Sequence, residues 1–256
     1  MGRRAARLKG RDLGPQGPAL LALETGGDHL GVALWRLPQE RDVEGERWRL
    51  LEEVSQHRGH RHADAILSLV DEMLERHELT PQAIGLIAVG RGPGGFTGVR
   101  VGMATALGLS QGLGAPIWPV DSLLALAMNG ASSGAAVLAL LDARKGEVYG
   151  ALYRFGEDGK PICLMEPMVA AAERVVGRAR ELAGDLIIIG SGAKASGLAT
   201  SVPPRWHVAS AAHLGGLAAR GWETVERDAT RVPVFDPAYV RPSDAEIALR
   251  ERESRE

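Results

Sequence analysis

The stretch Gly90-Arg-Gly-Pro-Gly-Gly-Phe-Thr-Gly-Val-Arg-Val-Gly-Met-Ala-Thr-Ala-Leu-Gly-Leu-Ser110 decides how the chain is read. It begins where an apolar run, Ile84 to Val89, gives way to four glycines and a proline within six residues. From about Thr97 to Gly112 the pattern is helical. A strand, a glycine turn and a helix N-terminus in that order make a potential anion cradle, because unpaired N–H groups and the helix dipole face the turn. The spacing is not the G-x-x-x-x-G-K-[ST] of a phosphate loop, so a purely structural strand-to-helix connection weighs equally.

The helix is more informative than the turn. Between Thr97 and Gly112 its only charged residue is Arg100, while Gly98, Gly102, Ala106 and Ser110 fall four apart, as do Ala104, Gly108 and Gly112. Helix propensity would not select these glycines, each costing roughly 1 kcal/mol against alanine. Small residues at this spacing admit a second backbone at close range, so the helix is expected to be packed over most of its circumference. Such a helix is central to a core or covered by a partner. It is too short and too rich in glycine to span a membrane.

Composition sets the outer bounds. At 256 residues, 45% hydrophobic and net charge −2, the chain has material for one large domain or two lobes, and no overall basic footprint for nucleic acid. The single cysteine, Cys163, lies in an apolar run and is expected to be a buried structural thiol in a reducing cytoplasm. Residues 1–18 stand apart, with Arg3, Arg4, Arg7, Lys9 and Arg11 against Asp12 alone, then Gly14-Pro15 and Gly17-Pro18. They lack a signal-peptide core and read as a disordered basic extension, with weak RNA attraction as the sharper alternative.

Outward from the glycine stretch, the element order repeats. Ala19 to Glu24 and His29 to Trp35 form a hairpin, and Trp48 to Ser55 a third strand. A helix at about 62–77 follows, with Ile66, Leu67, Val70, Met73 and Leu74 on one stripe. Next come the 84–89 strand and the glycine-studded helix. A strand at 116–120 and a helix at 121–128 lead to a second series. Its strands are 136–141, 147–155 and 161–166, then a helix at 171–182, a strand at 185–189 and a glycine turn at 190–192. A last helix, about 211–221, precedes an extended tail.

Two β-β-β-α-β-α units predict a duplicated α/β architecture of two lobes, the actin, sugar kinase and Hsp70 superfold. The expected divisions are an N-terminal lobe at 19–118, a C-terminal lobe at 119–232 and a tail at 233–256.

In that superfold the first hairpin turn holds nucleotide phosphates, usually with an aspartate ending the first strand. Here the turn is Glu24-Thr25-Gly26-Gly27-Asp28, a degenerate phosphate turn in which glutamate replaces the aspartate. His57, His60 and His62 are spaced H-x-x-H-x-H, which does not align two imidazoles on one helix face. No metal site is expected from them. Ser191 lies in Gly-Ser-Gly without a G-x-S-x-G elbow or identifiable His and Asp partners. Asp142, Arg144, Lys145 and Glu147 make a charged turn, read as solvated.

With these elements in place, Gly90–Gly102 closely resembles the signature of the bacterial TsaB (YeaZ) family. Its residues here are Gly92, Pro93, Gly94, Phe96, Thr97, Gly98 and Arg100. Leu140-Leu-Asp-Ala-Arg-Lys-Gly-Glu-Val-Tyr149, His62 and Pro237-Ala-Tyr-Val-Arg-Pro242 match in the same order, over roughly residues 19–242. Glu24-Thr-Gly-Gly departs from the family's Asp-Thr-Ala/Ser-Thr, and the basic extension is additional.

The resemblance implies a non-catalytic, cofactor-free scaffold or activator in tRNA modification. Its partner would be a TsaD-type transferase, which forms threonylcarbamoyladenosine beside the anticodon of tRNAs reading A-starting codons. A TsaE-type ATPase would join through the complex, tRNA would be engaged indirectly and no membrane would be involved. Family members pair their first two helices with the partner and can homodimerise through the same face. On this chain that places the interface at Ile66, Val70, Met73, Leu74, Val99, Gly102, Met103, Ala106 and Leu107. The rival readings are an active kinase or ATPase of the same superfold, using Glu24 or Asp28, a metallopeptidase-like activity, and a direct tRNA-binding module built on residues 1–18.

Overall fold

In the computed structural model, residues 18–37, 48–57, 63–198, 200, 202–225, 235–238 and 240 are described. His60, His62 and the basic extension to residue 17 lie outside them. The apolar run Ala19–Glu24 forms β1, buried along its whole length. Around it β2 (His29–Arg36), β3 (Arg49–His57), β4 (Ile84–Gly90) and β5 (Ile117–Val120) assemble in the order β3-β2-β1-β4-β5. The first three strands are antiparallel neighbours, whereas β4 runs parallel to both β1 and β5.

Side-chain alternation gives this sheet two apolar faces. Leu21 and Leu23 point to one face, covered by α1 (Ala63–Arg76) and α2 (Phe96–Leu113). Leu20 and Ala22 point to the other.

The second sheet repeats the first in strand order. β6 (Ala136–Asp142), β7 (Glu147–Phe155), β8 (Pro161–Ala171) and β9 (Leu186–Ile189) lie as β8-β7-β6-β9, with β9 parallel to β6. Read from the sequential neighbours, both sheets have the order 3-2-1-4 and the same sense of each pair. This is the duplicated α/β arrangement of the actin, sugar kinase and Hsp70 superfold. α4 (Ala172–Ala183) covers one face through Val175, Val176 and Ala179. The other face receives Leu123 and Leu126 of α3 (Ser122–Ala127), whose Ala125 is packed against the first sheet. α3 is therefore a common wall between the two halves.

Several elements differ from the sequence expectation. β8 continues past Glu166 to Ala171, and the Gly190–Gly192 turn passes into a short helix, α5 (Ser191–Ala195). The last helix, α6 (Ala211–Val225), belongs by sequence to the second half but packs on the first sheet through Ala211, Leu214, Ala218 and Trp222. Gly215 and Gly216 lie under the Trp35 indole, and Trp118 meets Trp222 edge-on with centroids 6.3 Å apart.

Cys163 is exposed and not a buried thiol, because β8 is an edge strand whose outer stretch no helix covers. Leu67 was placed on the buried stripe of α1 but is 54% exposed, one position off the Ile66–Val70–Met73 line. Among the described residues no helix is long and apolar enough to cross a membrane.

Candidate functional site

The glycine stretch is folded against the first hairpin turn. Gly95 N–H donates to the Gly26 carbonyl at 2.7 Å, and the Thr25 hydroxyl donates to the Gly98 carbonyl at 2.8 Å. A methyl group on Gly98 would run into the Thr25 carbonyl oxygen, and one on Gly102 into the Thr25 hydroxyl. The small residues spaced four apart thus mark where the backbone of the β1–β2 turn lies on α2. The Gly92–Pro93 peptide is cis, and Ser122 N–H caps the loop by donating to the Gly92 carbonyl at 2.8 Å.

At the centre of this contact lies Glu24, 2% exposed. One carboxylate oxygen accepts from Gly26 N–H at 2.7 Å, the other from the Ser122 hydroxyl at 2.8 Å. Gly90 leaves the room its carboxylate fills. Burial raises the Glu24 pKa, and the bonds from Gly26 and Ser122 oppose the shift without cancelling it.

The arrangement bears directly on the phosphate-turn and anion-cradle readings of Glu24, Thr25, Gly26 and Gly27. A phosphate needs free N–H donors, yet Gly26 N–H is bonded to Glu24 and Gly95 N–H to Gly26. A buried carboxylate also stands where the anion would have to approach. The turn is closed by the protein's own acid.

The surface-facing half of α2 is a different matter. Phe96 is 39% and Leu107 43% exposed, and between them Arg100 and Ala104 also face outward, followed by Gly108, Gln111 and Gly112. A methyl on Gly108 or Gly112 would meet nothing within 4 Å. The Arg100 guanidinium lies over the Phe96 ring at 3.7 Å. On α1, Leu67 is exposed in the same helical layer.

These facts revise the interface expected from sequence. Ile66, Val70, Met73, Leu74, Val99, Gly102, Met103 and Ala106 are all buried in this chain, so their side chains are engaged in its own packing. Leu107 alone of that set lies outside. An apolar stripe on an amphipathic helix marks the home core first. Leu67, Phe96, Ala104 and Gly108 were not in the expected set. The signal for Phe96, Ala104 and Gly108 was the lack of charge on the outer side of α2, where a solvated helix would carry Lys and Glu; Leu67 on α1 had no such signal.

The remaining sequence candidates do not converge. His57 pairs with His29, ring centroids 5.0 Å apart, and no group of three potential metal ligands occurs among the described residues. Ser191 receives the Asp142 N–H at 3.2 Å and has no histidine as partner. Arg144 N–H turns back onto the Asp142 carboxylate at 2.8 Å, which fixes the second hairpin turn.

Asp121 was missed as a partner of the signature loop. It precedes α3 but leaves the helix end uncapped and binds Arg91 Nε at 2.6 Å. The tail residue Ala238 adds a bond from its N–H to the Arg91 carbonyl at 2.8 Å.

Comparison with known proteins places this geometry. A family model described as TsaD, tRNA N6-adenosine threonylcarbamoyltransferase, matches residues 52–186. The tRNA threonylcarbamoyladenosine biosynthesis protein TsaB of Escherichia coli strain K12 is 38% identical over 136 residues, 51% of this chain and 58% of that protein. The TsaB protein of Bacillus subtilis strain 168 is 35% identical over 136 residues, 53% and 55% of the two chains. The chain thus spans a little over half the length of these curated relatives.

Among solved structures, a Pseudomonas aeruginosa protein described as uncharacterized, with similarity to peptidase YEAZ, superposes with a TM-score of 0.69 at 27% identity. The match covers 88% of this chain and 100% of that one. YeaZ from Pseudomonas aeruginosa gives a TM-score of 0.65 at 27% identity, over 85% and 99% of the two chains.

Proposed function

The chain belongs to the family of the tRNA N6-adenosine threonylcarbamoyltransferase model, in its TsaB (YeaZ) branch, and we propose from that membership that it is a non-catalytic scaffold or activator subunit. It docks a TsaD-type transferase during formation of threonylcarbamoyladenosine next to the anticodon of tRNAs reading A-starting codons. A TsaE-type ATPase joins through the complex, and tRNA is engaged through the partner.

The observation that carries this reading is the outer face of α2. It is a long helix whose inner side is latched by glycines, and whose outer side offers Phe96, Ala104, Leu107 and Gly108 with Arg100 as its one charge. A solvated helix gains nothing from such a face, whereas a helix packing against another gains apolar area at about 25 cal/mol per Å². Glycines at an open surface let a partner helix approach its backbone. The Glu24 turn supports the non-catalytic part of the reading, because two of its N–H donors, Gly26 and Gly95, are already bonded within the protein.

Reconstitution tests it. TsaC-, TsaD- and TsaE-type proteins are combined with tRNA, threonine, bicarbonate and ATP, with and without this chain. Modification should depend on the chain, while the chain alone turns over no ATP. The double variant Leu67→Asp, Leu107→Asp should keep its fold by circular dichroism and lose partner binding by about a hundredfold, the scale of burying two unpaired charges in an apolar interface. Modification indifferent to the chain, or ATP turnover by the chain alone, would overturn the proposal and favour a kinase-like activity.

A further inference from the structure

A cavity lies on the seam between the signature loop and the second sheet, away from the outer face of α2. It measures about 430 Å³ and is bounded by Arg91, Asp121, Leu124, Tyr153, Pro161, Cys163, Glu166, Pro167, Ala238 and Val240. The volume suits a small molecule. Its walls come from four separate parts of the chain: the loop after β4, the start of α3, the β7–β8 pair and the tail. Tyr153 and Cys163 are direct cross-strand partners, so both side chains rise on the face of the sheet that the cavity borders.

The polar groups of this cavity are unevenly matched. Arg91 and Asp121 neutralise one another through their 2.6 Å contact. Glu166 is exposed at the cavity mouth, takes part in a hydrogen bond with the Cys163 side chain and has no ion-pair partner among the described residues, so its carboxylate faces solvent and the cavity together. Tyr153 is only 4% exposed, lines the cavity and makes no hydrogen bond among the described residues. Its hydroxyl reaches the cavity wall, where it can donate to or accept from a ligand.

The local field agrees with this charge count. The Tyr153 hydroxyl is held far above its ordinary pKa by burial and then by Asp121, Cys163 and Glu166. The Cys163 thiol is pushed up to about 11 by burial and the nearby Glu166 carboxylate. Both groups are therefore neutral near pH 7, and neither supplies nor cancels charge.

We propose that this cavity is a binding site for a small organic cation, a primary ammonium carrying a short apolar chain. The ammonium donates to the Glu166 carboxylate and to the Tyr153 oxygen. The apolar chain lies along Leu124, Pro161, Pro167 and Val240. An anion is disfavoured because Arg91 is already paired. A bare metal ion is disfavoured because no group of three suitable ligands occurs among the described residues.

Cys163 is the only cysteine of the chain and stands in the cavity wall, so its alkylation reports occupancy directly. The full chain is treated with iodoacetamide in mildly alkaline buffer, with increasing n-butylammonium chloride. Butan-1-ol, butyrate and tetramethylammonium at equal concentration serve as controls. Saturable slowing of alkylation by n-butylammonium is expected, with none from the controls.

Each variant is compared with itself in the absence of probe, so that changed thiol reactivity cancels. Glu166→Gln should weaken protection about tenfold, and Tyr153→Phe should weaken it by a smaller factor. Arg178→Ala, on the far side of α4, should leave it unchanged. Equal protection by butan-1-ol, protection that survives in Glu166→Gln, or none from n-butylammonium would each overturn the proposal.

Discussion

The two halves of the molecule share a strand order but treat their first hairpin turns in opposite ways. In the first half, the turn after β1 is sealed. Glu24 is buried beneath it, Gly26 and Thr25 bond into the signature loop and α2, and an 18-residue helix follows. In the second half, the turn after β6 stands open. It is built from Asp142 to Gly146, has the Arg144 N–H on the Asp142 carboxylate, and lies beside a helix of only five residues.

The two turns depart from a phosphate cradle for different reasons. One is filled by the protein's own carboxylate and the other lacks a long helix whose N-terminus could face it. Duplication preserved the sheets, whose central strands are held by two neighbours and two apolar faces. Change accumulated at the turns and the helices behind them. On the first side it produced a helix whose inner half is committed and whose outer half is free for a partner.

The largest expected effect tests the committed half. Gly98→Ala puts a methyl group onto the Thr25 carbonyl, a backbone atom that cannot move without opening the β1–β2 turn. A loss of about 3 kcal/mol is expected in urea unfolding, at the upper end of overpacking costs. The same substitution ten residues along the helix should reverse in sign. Gly108→Ala meets open space and should gain about 0.5–1 kcal/mol from helix propensity. Similar losses at both positions would mean that the helix has no committed and free sides.

The next effect concerns the buried acid. Ser122→Ala removes the hydroxyl that donates to Glu24 and should cost about 1–3 kcal/mol, since one carboxylate oxygen is left unpaired in the core. Burial holds the folded Glu24 pKa above its unfolded value. Between the two values the folded protein keeps a proton that the unfolded chain releases, so this group's contribution falls as pH rises through that window. Below the unfolded pKa the penalty is absent, and above the folded pKa it is constant. Glu24→Gln cannot ionise, so its Tm relative to the parent should rise as pH increases through and above the ordinary carboxylate range. A difference in Tm that is flat with pH would contradict a raised Glu24 pKa.

The legibility of the sequence follows the same division. The strands and the repeat could be read because alternation and apolar runs are local signals, and Ala19 to Glu24 announces a central strand by itself. The signature helix could be read as unusual because it lacks charge.

The choice of which side of it faced inward could not be read. Gly98 and Gly108 look alike in sequence, and only the position of Thr25, far away in the chain, separates them. Asp121 and Ser122 looked like an ordinary helix start, yet their side chains serve Arg91 and Glu24 across the fold. Leu67 was placed on one stripe with Ile66, although one residue on a helix turns a side chain by about 100°. Cys163 was judged by its apolar neighbours, whereas its exposure depends on β8 being an edge.

The smallest effect separates two uses of glycine. Gly26 and Gly27 are absent from the positions with left-handed backbone, and Gly27 has open space where a Cβ would be. The first turn therefore needs small residues for its neighbours, not for its own dihedral angles. The second turn has the opposite need. Arg144 and Lys145 hold φ of 65° and 54°, and Gly146 holds 78°, so two side chains sit in a region that costs an L-residue roughly 1–2 kcal/mol each.

Lys145→Gly relieves one such cost, while the added freedom of the unfolded chain and the loss of the lysine's own contacts return part of it. A net gain of about 0.5 kcal/mol is expected in urea unfolding. Gly27→Ala, with ordinary backbone and open space, should change stability by no more than about 0.5 kcal/mol. A stabilised Lys145→Gly beside a near-neutral Gly27→Ala would show that the two turns differ in backbone as well as in burial. A destabilised Lys145→Gly would mean that the lysine's contacts outweigh its strain, and that the second turn is held from outside much as the first is.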